Sequence, residues 1–287
     1  MSALRQRLAK RIKHVGGSAI LALGLHRVVL RRRAVVLLFH RVGEAYPGDE
    51  IGVPEAQFER FCALLARHFP VISLETLAER LRARGEIGGC AVITFDDGYL
   101  DNYAAAAPIL RKYRLPATFF ITTGYIGTDR VPGWDADHGA RSPWMSWDHV
   151  RALQAQGFSL GAHTVNHVNL GDAESFRAAG AKPFPEHWHV DAGPDEQARE
   201  IVESRRTLER ETGATVTTFA YPYGRRENLS AGNRQVIAES GFTVNTSAYG
   251  GTVTAETPPL DIPRIPVNQW FETPEEFVFE LVMGRLS

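Results

Sequence analysis

Three short segments carry side chains suited to hydrolytic chemistry. The first is Thr94-Phe95-Asp96-Asp97-Gly98-Tyr99. Two adjacent carboxylates close an apolar run of strand length, and side chains alternate in direction along a strand. The pair can divide its work, one group holding a cation while the other stays free as a base. Gly98 lets the backbone turn sharply beneath them. An Asp-rich turn opening a helix has the same composition, so this segment alone leaves both readings open.

The second segment is His163-Thr164-Val165-Asn166-His167. Two histidines four residues apart can face the same way on one helical turn and clamp a divalent metal. One carboxylate plus two imidazoles makes a facial set with open positions, which suits zinc, cobalt, nickel or iron. The third segment is Phe219-Ala220-Tyr221-Pro222-Tyr223-Gly224. A backbone N–H in its turn can face an oxyanion, and its tyrosine rings can stack on a sugar. Tyr221 and Pro222, together with Trp147, are the expected substrate contacts.

These segments need elements to bring them together. Apolar runs of strand length occur at Ala34–Phe39, Pro70–Ser73, Ala91–Phe95, Ala117–Ile121, Phe158–Gly161, Thr217–Ala220, Thr243–Asn245 and Arg264–Val267. Several are continuous, as in strands buried on both faces. Between them lie helical patterns at Pro54–His68, Leu74–Arg84 after Ser73, Trp147–Gln156 before Gly157, and Glu196–Glu211 before Gly213. Alternating β and α elements predict a parallel α/β sheet closed, or nearly closed, into a barrel. The three segments each follow a strand, so all would meet at one barrel face. Two stretches interrupt the rhythm, Gly124–Pro143 and Gly171–Pro194. Long loops on that face are usually functional or mobile. Trp134, Trp144, Trp147, His187, Trp188 and His189 lie in or beside them. The His187-Trp188-His189 cluster reads as loop or lid.

The 287 residues have a formal charge of −1, with 44% hydrophobic and 23% charged residues. That is an ordinary globular mix without a global drive toward nucleic acid. Cys62 and Cys90 lack a CxxC partner and read as two reduced, buried thiols. No run of ~18 or more apolar residues suggests a membrane span.

Residues 1–33 read as a basic helical segment, and 34–287 as the catalytic domain. Arg5, Arg7, Lys10, Arg11 and Lys13 precede a short apolar stretch, Gly17 to Leu25, and Arg27 and Arg31 to Arg33 follow it. The run ends in basic residues rather than in small ones, unlike a cleaved signal. It fits either a basic amphipathic segment on an anionic membrane or a solvated helix capping the domain. The expected location is cytoplasmic or peripheral to the inner membrane, ahead of the periplasm.

TFDDG, HTxxH and FxxPYG, in that order on an α/β chain, resemble the polysaccharide deacetylases of the NodB-homology group, carbohydrate esterase family 4. The resemblance spans roughly Ala34 to Asn268. It implies a distorted (β/α)7 TIM-like barrel and metal-dependent removal of N- or O-acetyl groups. By the same resemblance Asp96 is the base, and Asp97, His163 and His167 are the metal ligands. Tyr223 supplies the amide that faces the oxyanion. The metal would be Zn2+, with Co2+, Ni2+ or Fe2+ as alternatives.

Two departures stand out. Most members carry an Arg at the position of Ala220, where it orients the base. Most also end with a Leu-x-x-His supplying the acid, whereas Ile262-Pro263-Arg264-Ile265-Pro266-Val267 has no His. Both features resemble the subgroup acting on exopolysaccharides such as poly-N-acetylglucosamine, whose acid comes from an early strand. Here Leu37-Leu38-Phe39-His40-Arg41-Val42 offers His40. Arg264 is the candidate to orient Asp96.

The expected activity is hydrolysis of N-acetyl groups on amino sugars of a polysaccharide or glycoconjugate. Alternatives are a deacylase of a lipid-linked or lipopolysaccharide sugar, and a catalytically silent sugar-binding homologue.

Overall fold

Strands β1 (Val35–Phe39) and β4 (Ala91–Phe95) are buried at all five positions, as their unbroken apolar runs require. They pair in parallel with Phe39 opposite Phe95. The computed structural model of the chain describes residues 3–43, 49–171, 185, 188, 192–268 and 271–286.

Two short strands, β2 (Arg41–Val42) and β3 (Gly52–Val53), form a small parallel pair beside β1. The main sheet adds β5 (Thr118–Ile121), β6 (Ser159–Ala162), β7 (Thr218–Ala220), β8 (Val244–Thr246) and β9 (Ile265–Pro266). Its order is β8-β7-β6-β5-β4-β1-β9, with every neighbouring pair parallel. One parallel bridge, Thr246 to Ile262, spans the seam between β8 and the segment leading into β9. The result is a seven-stranded, incompletely closed barrel, as the alternating pattern predicts. Pro70–Ser73 differs from expectation. It forms one bridge, Val71 to Ala91, because the chain enters a helix immediately afterwards.

The helices in chain order are α1 (Ala3–Ala22), α2 (Leu25–Val29), α3 (Glu55–His68), α4 (Leu74–Arg82), α5 (Ala107–Tyr113), α6 (Gly133–Ala136), α7 (Trp147–Ala155), α8 (Pro194–Thr212), α9 (Ala231–Glu239) and α10 (Pro274–Val282). A π-turn at Asn102–Ala106 leads into α5. Ser73 caps α4 by accepting from the Thr76 N–H, and Gly213 ends α8 at φ 69°.

Small residues open the barrel interior. A Cβ on Gly161 would lie 2.4 Å from the Phe120 ring, so this position must stay glycine for the ring to fit. Arg264 shares that interior, with its guanidinium 5.2 Å from the Phe120 ring centre. Outside the barrel, α1 lies on α10. A Cβ on Gly17 would fall 1.9 Å from the Glu275 carbonyl oxygen, and one on Gly16 would fall 2.6 Å from Phe279. The two glycines let the helix backbones touch, and Ile20 and Leu21 join the main core. Cys62 and Cys90 are both buried and unbonded to each other.

Candidate metal centre and catalytic site

The strands end where the chemistry collects. His40 follows β1, Asp96 and Asp97 follow β4, His163 follows β6, and Tyr221 follows β7. These elements are parallel, so the side chains share the carboxyl-terminal rim of the barrel.

Asp97 sits at φ 76° and Gly98 at φ 94°. This sharp turn aims the two adjacent carboxylates apart. Asp97 Oδ1 lies 3.4 Å from Nε2 of both His163 and His167. One ligand atom from each of the three falls within 4.8 Å of the others, and all three residues are buried. Asp97 Oδ1 has no hydrogen-bond partner among the described residues, which is costly for a buried carboxylate oxygen unless a cation satisfies it. His163 Nδ1 donates to the Ala220 carbonyl at 2.8 Å. That bond fixes the tautomer and leaves the Nε2 lone pair facing Asp97. The three residues therefore fit a divalent metal, and the softness of two imidazoles and one carboxylate fits a first-row ion. Burial holds the His167 imidazole down to about 3 despite the nearby carboxylates, so it is neutral and able to ligate.

The expected helical turn between the histidines is absent. His163–His167 is a loop in which Thr164 (φ 61°) and His167 (φ 55°) are left-handed. Two left-handed residues turn the chain back and achieve the convergence that a helix would have supplied. Glu200, on α8, holds that loop. Its Oε2 accepts from the N–H groups of Val165 (2.8 Å) and Asn166 (2.7 Å), and its Oε1 accepts from Asn166 Nδ2 (2.7 Å). Nothing in the sequence singles Glu200 out, because α8 carries five other acids.

Asp96 is 3% exposed, and Arg264 is fully buried. Arg264 grips Asp96 with both prongs, Nη1 to Oδ1 and Nη2 to Oδ2, each at 2.7 Å. Arg264 itself is held by Nε donating to the Ser247 carbonyl at 2.7 Å and Nη1 to Thr94 Oγ1 at 3.2 Å. Burial pushes the Asp96 carboxyl up, but the charge of Arg264 and its hydrogen bonds outweigh it and hold the group below the usual carboxylate range. Asp96 is thus ionised, oriented and 3.8 Å from His163 Nε2. Ala220, where the resemblance anticipates an Arg, instead gives its carbonyl to His163.

His40 is partly exposed. Its carbonyl accepts from Asn102 Nδ2 at 2.6 Å. Tyr223 adopts φ 61° and packs its ring 4.7 Å from His167. Its Oη donates to the Trp188 carbonyl at 2.9 Å. Trp134 closes the other side of His167 at 4.7 Å and donates its Nε1 to Tyr99 Oη at 2.8 Å. Tyr99 stacks on Trp144 at 4.4 Å.

Two expected substrate contacts lie elsewhere. The Tyr221 ring is 1% exposed and packs against Phe219 within the core. It cannot stack on a sugar, because strand alternation turns it outward from the barrel. Trp147 is the first residue of α7 and packs against the main core, so it serves the helix rather than the cleft. Pro222 is buried, and its carbonyl accepts from the Gly224 N–H at 2.7 Å, shaping the turn. Among the described residues, Trp134 and Trp188 are the tryptophans beside the ligand set. Of the lid stretch, 172–184, 186–187 and 189–191 lie outside the described residues, so His187 and His189 are not placed.

The polysaccharide deacetylase family profile matches residues 84–244, more than half of the chain. The chain belongs to the polysaccharide deacetylase family. Poly-β-1,6-N-acetyl-D-glucosamine N-deacetylase of Staphylococcus aureus is 26% identical to it over 267 residues, covering 90% of this chain and 82% of that one. Among solved structures, the Streptococcus pyogenes deacetylase PplD, in complex with acetate, superposes with a TM-score of 0.67. Its identity is 21%, over 89% of this chain and 98% of that chain. IcaB from Ammonifex degensii gives 0.65 and 21%, over 86% and 97%. These likenesses show the distorted (β/α)7 fold of NodB type. As a polysaccharide deacetylase the chain is a hydrolase of a metal-dependent family, and it carries a possible Asp-His-His metal site.

Proposed function

We propose that this deacetylase removes N-acetyl groups from amino sugars of a bacterial exopolysaccharide of the poly-N-acetylglucosamine type. The observation that carries the reading is the buried Arg264–Asp96 fork beside the Asp97, His163 and His167 triad. It provides an ionised base next to a place for a cation. The 26% identity to the S. aureus enzyme over most of both chains supports the polymer class.

A divalent ion on Asp97, His163 and His167 would supply Lewis acidity, which acidifies water and polarises an acyl carbonyl. Asp96 takes the proton from the attacking water. The Tyr223 amide faces the oxygen that gains charge. His40 donates a proton to the nitrogen as the C–N bond breaks, releasing acetate and the free amine. Each proton-transfer partner is worth on the order of 10²–10⁴ in rate. Trp134 and Trp188 offer the apolar faces on which a sugar ring can rest. A silent sugar-binding role is disfavoured, because such a protein has no need of a base oriented beside the ligand set.

The test is amine release from N-acetylglucosamine oligomers by metal-loaded protein, with chelator as control. Release that stops with chelator supports the reading. Binding of the oligomers without release, at full metal occupancy, contradicts it.

A further inference from the structure

The first 42 residues hold ten Lys and Arg and neither Asp nor Glu. The whole chain has 32 basic and 33 acidic residues, so the other 245 residues carry 22 against 33, a formal charge of −11. Such asymmetry marks one end of a chain for an anionic partner.

Helix α1 has two apolar faces. One carries Gly16, Gly17, Ile20 and Leu21 and packs on the body. The other carries Leu8, Ile12 and Val15, exposed by 58%, 57% and 58%. Their i, i+4, i+7 spacing makes a single stripe. The stripe continues into Leu23, 72% exposed, and Val28 of α2, 63% exposed. Seven of the nine large hydrophobic residues exposed among the described residues fall between Leu8 and Val29. Lone exposed apolar residues need no explanation, but a contiguous set does.

The cations divide the same way. Lys10 and Lys13 lie on the side of α10 and pair with Glu272 and Glu280. Arg5, Arg7, Arg11, Arg27 and Arg31 are exposed and make no ion pair with an acid among the described residues. No described helix is long and apolar enough to cross a membrane. A second copy of the chain fits this face poorly. A two-fold interface would set the same unpaired arginines against each other.

We propose that α1 and α2 form an interfacial platform that seats the protein on an anionic lipid surface. The apolar stripe enters the boundary between headgroups and acyl chains, and the flanking arginines meet lipid phosphates. The platform runs along the side of the barrel. Lys10 meets Glu272, beyond β9 at the catalytic rim, whereas the Leu30 carbonyl accepts from Gly89 N–H, ahead of β4 at the opposite end. The catalytic rim is therefore left open to the aqueous side. The proposal does not rest on the substrate, since lipid binding is read without turnover.

The experiment is flotation of the full chain with phosphatidylcholine vesicles, with and without phosphatidylglycerol. The protein should float with the anionic vesicles, less so at high salt, and not with phosphatidylcholine alone. Each cation near the surface contributes a factor of about five. Combined Arg7→Gln, Arg27→Gln and Arg31→Gln should therefore lower binding roughly a hundredfold. Ile12→Glu with Val28→Glu should abolish it, and both variants should release amine from soluble oligomers as the wild type does. Equal flotation with both vesicle types, or none with anionic vesicles, overturns the proposal. So does a lipid-free dimer of the wild type that Ile12→Glu dissociates. If a variant fails to fold, by circular dichroism, the wild-type comparison between the two lipid compositions still decides.

Discussion

Arg264 and Asp96 stand 168 residues apart and meet through two 2.7 Å hydrogen bonds inside the barrel. Removing one partner of such a buried pair costs about 3–5 kcal/mol, because the other charge is left uncompensated. The pair also sets a titration. Burial raises the Asp96 carboxyl, and the charge and hydrogen bonds of Arg264 reverse that and hold it low. A depressed folded value contributes stability that is present above the ordinary carboxylate range and lost as pH falls through the folded value. Arg264→Gln leaves burial less opposed, so the acidic limb of the kcat/KM profile should move to higher pH. A pH–rate series on wild type and variant reads this directly, and an unmoved limb removes Arg264 from the orienting role.

His40→Gln should lower kcat by on the order of 10²–10⁴, with metal content unchanged. Steady-state kinetics beside metal analysis separates the two quantities. Near-normal turnover at full metal occupancy would assign the acid to another group.

Glu200→Gln should loosen the loop that presents His163 and His167, since this one carboxylate accepts three hydrogen bonds from Val165 and Asn166. Outer-shell partners of this kind are worth about 10–100-fold in metal affinity. Metal titration of the apo variant should show that weakening while Asp96 and Arg264 stay in place.

Gly17→Ala should destabilise the fold although alanine favours helix by about 1 kcal/mol. The added Cβ would collide with the Glu275 carbonyl, and overpacking costs about 1–3 kcal/mol. Thermal melting should show a lower Tm. An unchanged or raised Tm would mean that α1 docks less tightly on α10 than the contacts imply.

Much of this arrangement is legible in residue order. Ala91–Phe95 is read as a strand and is one, because a run apolar on both faces has no other use at that length. His40, Asp96 and His163 each end a strand, so a parallel sheet brings them to one rim whatever the loops do. Other features depend on tertiary context. His163 and His167 at a spacing of four suggest a helix, but left-handed Thr164 and His167 achieve the same convergence in a loop. Tyr221 and Tyr223 are two residues apart and look alike, yet one ring is in the core and the other lies against His167. Helices α5 and α10 carry a Pro in their first turn and α9 carries Gly232, which masks their periodicity. Glu200 is one acid among many on α8, and only the loop it holds distinguishes it.

The central claim is that Asp96 is the base beside an Asp97-His163-His167 metal site. The most direct test compares amine release by wild type and Asp96→Asn at equal, measured metal content. Full metal occupancy with release reduced by on the order of 10²–10⁴ is the predicted result. Release by the fully loaded variant at the wild-type rate would contradict it.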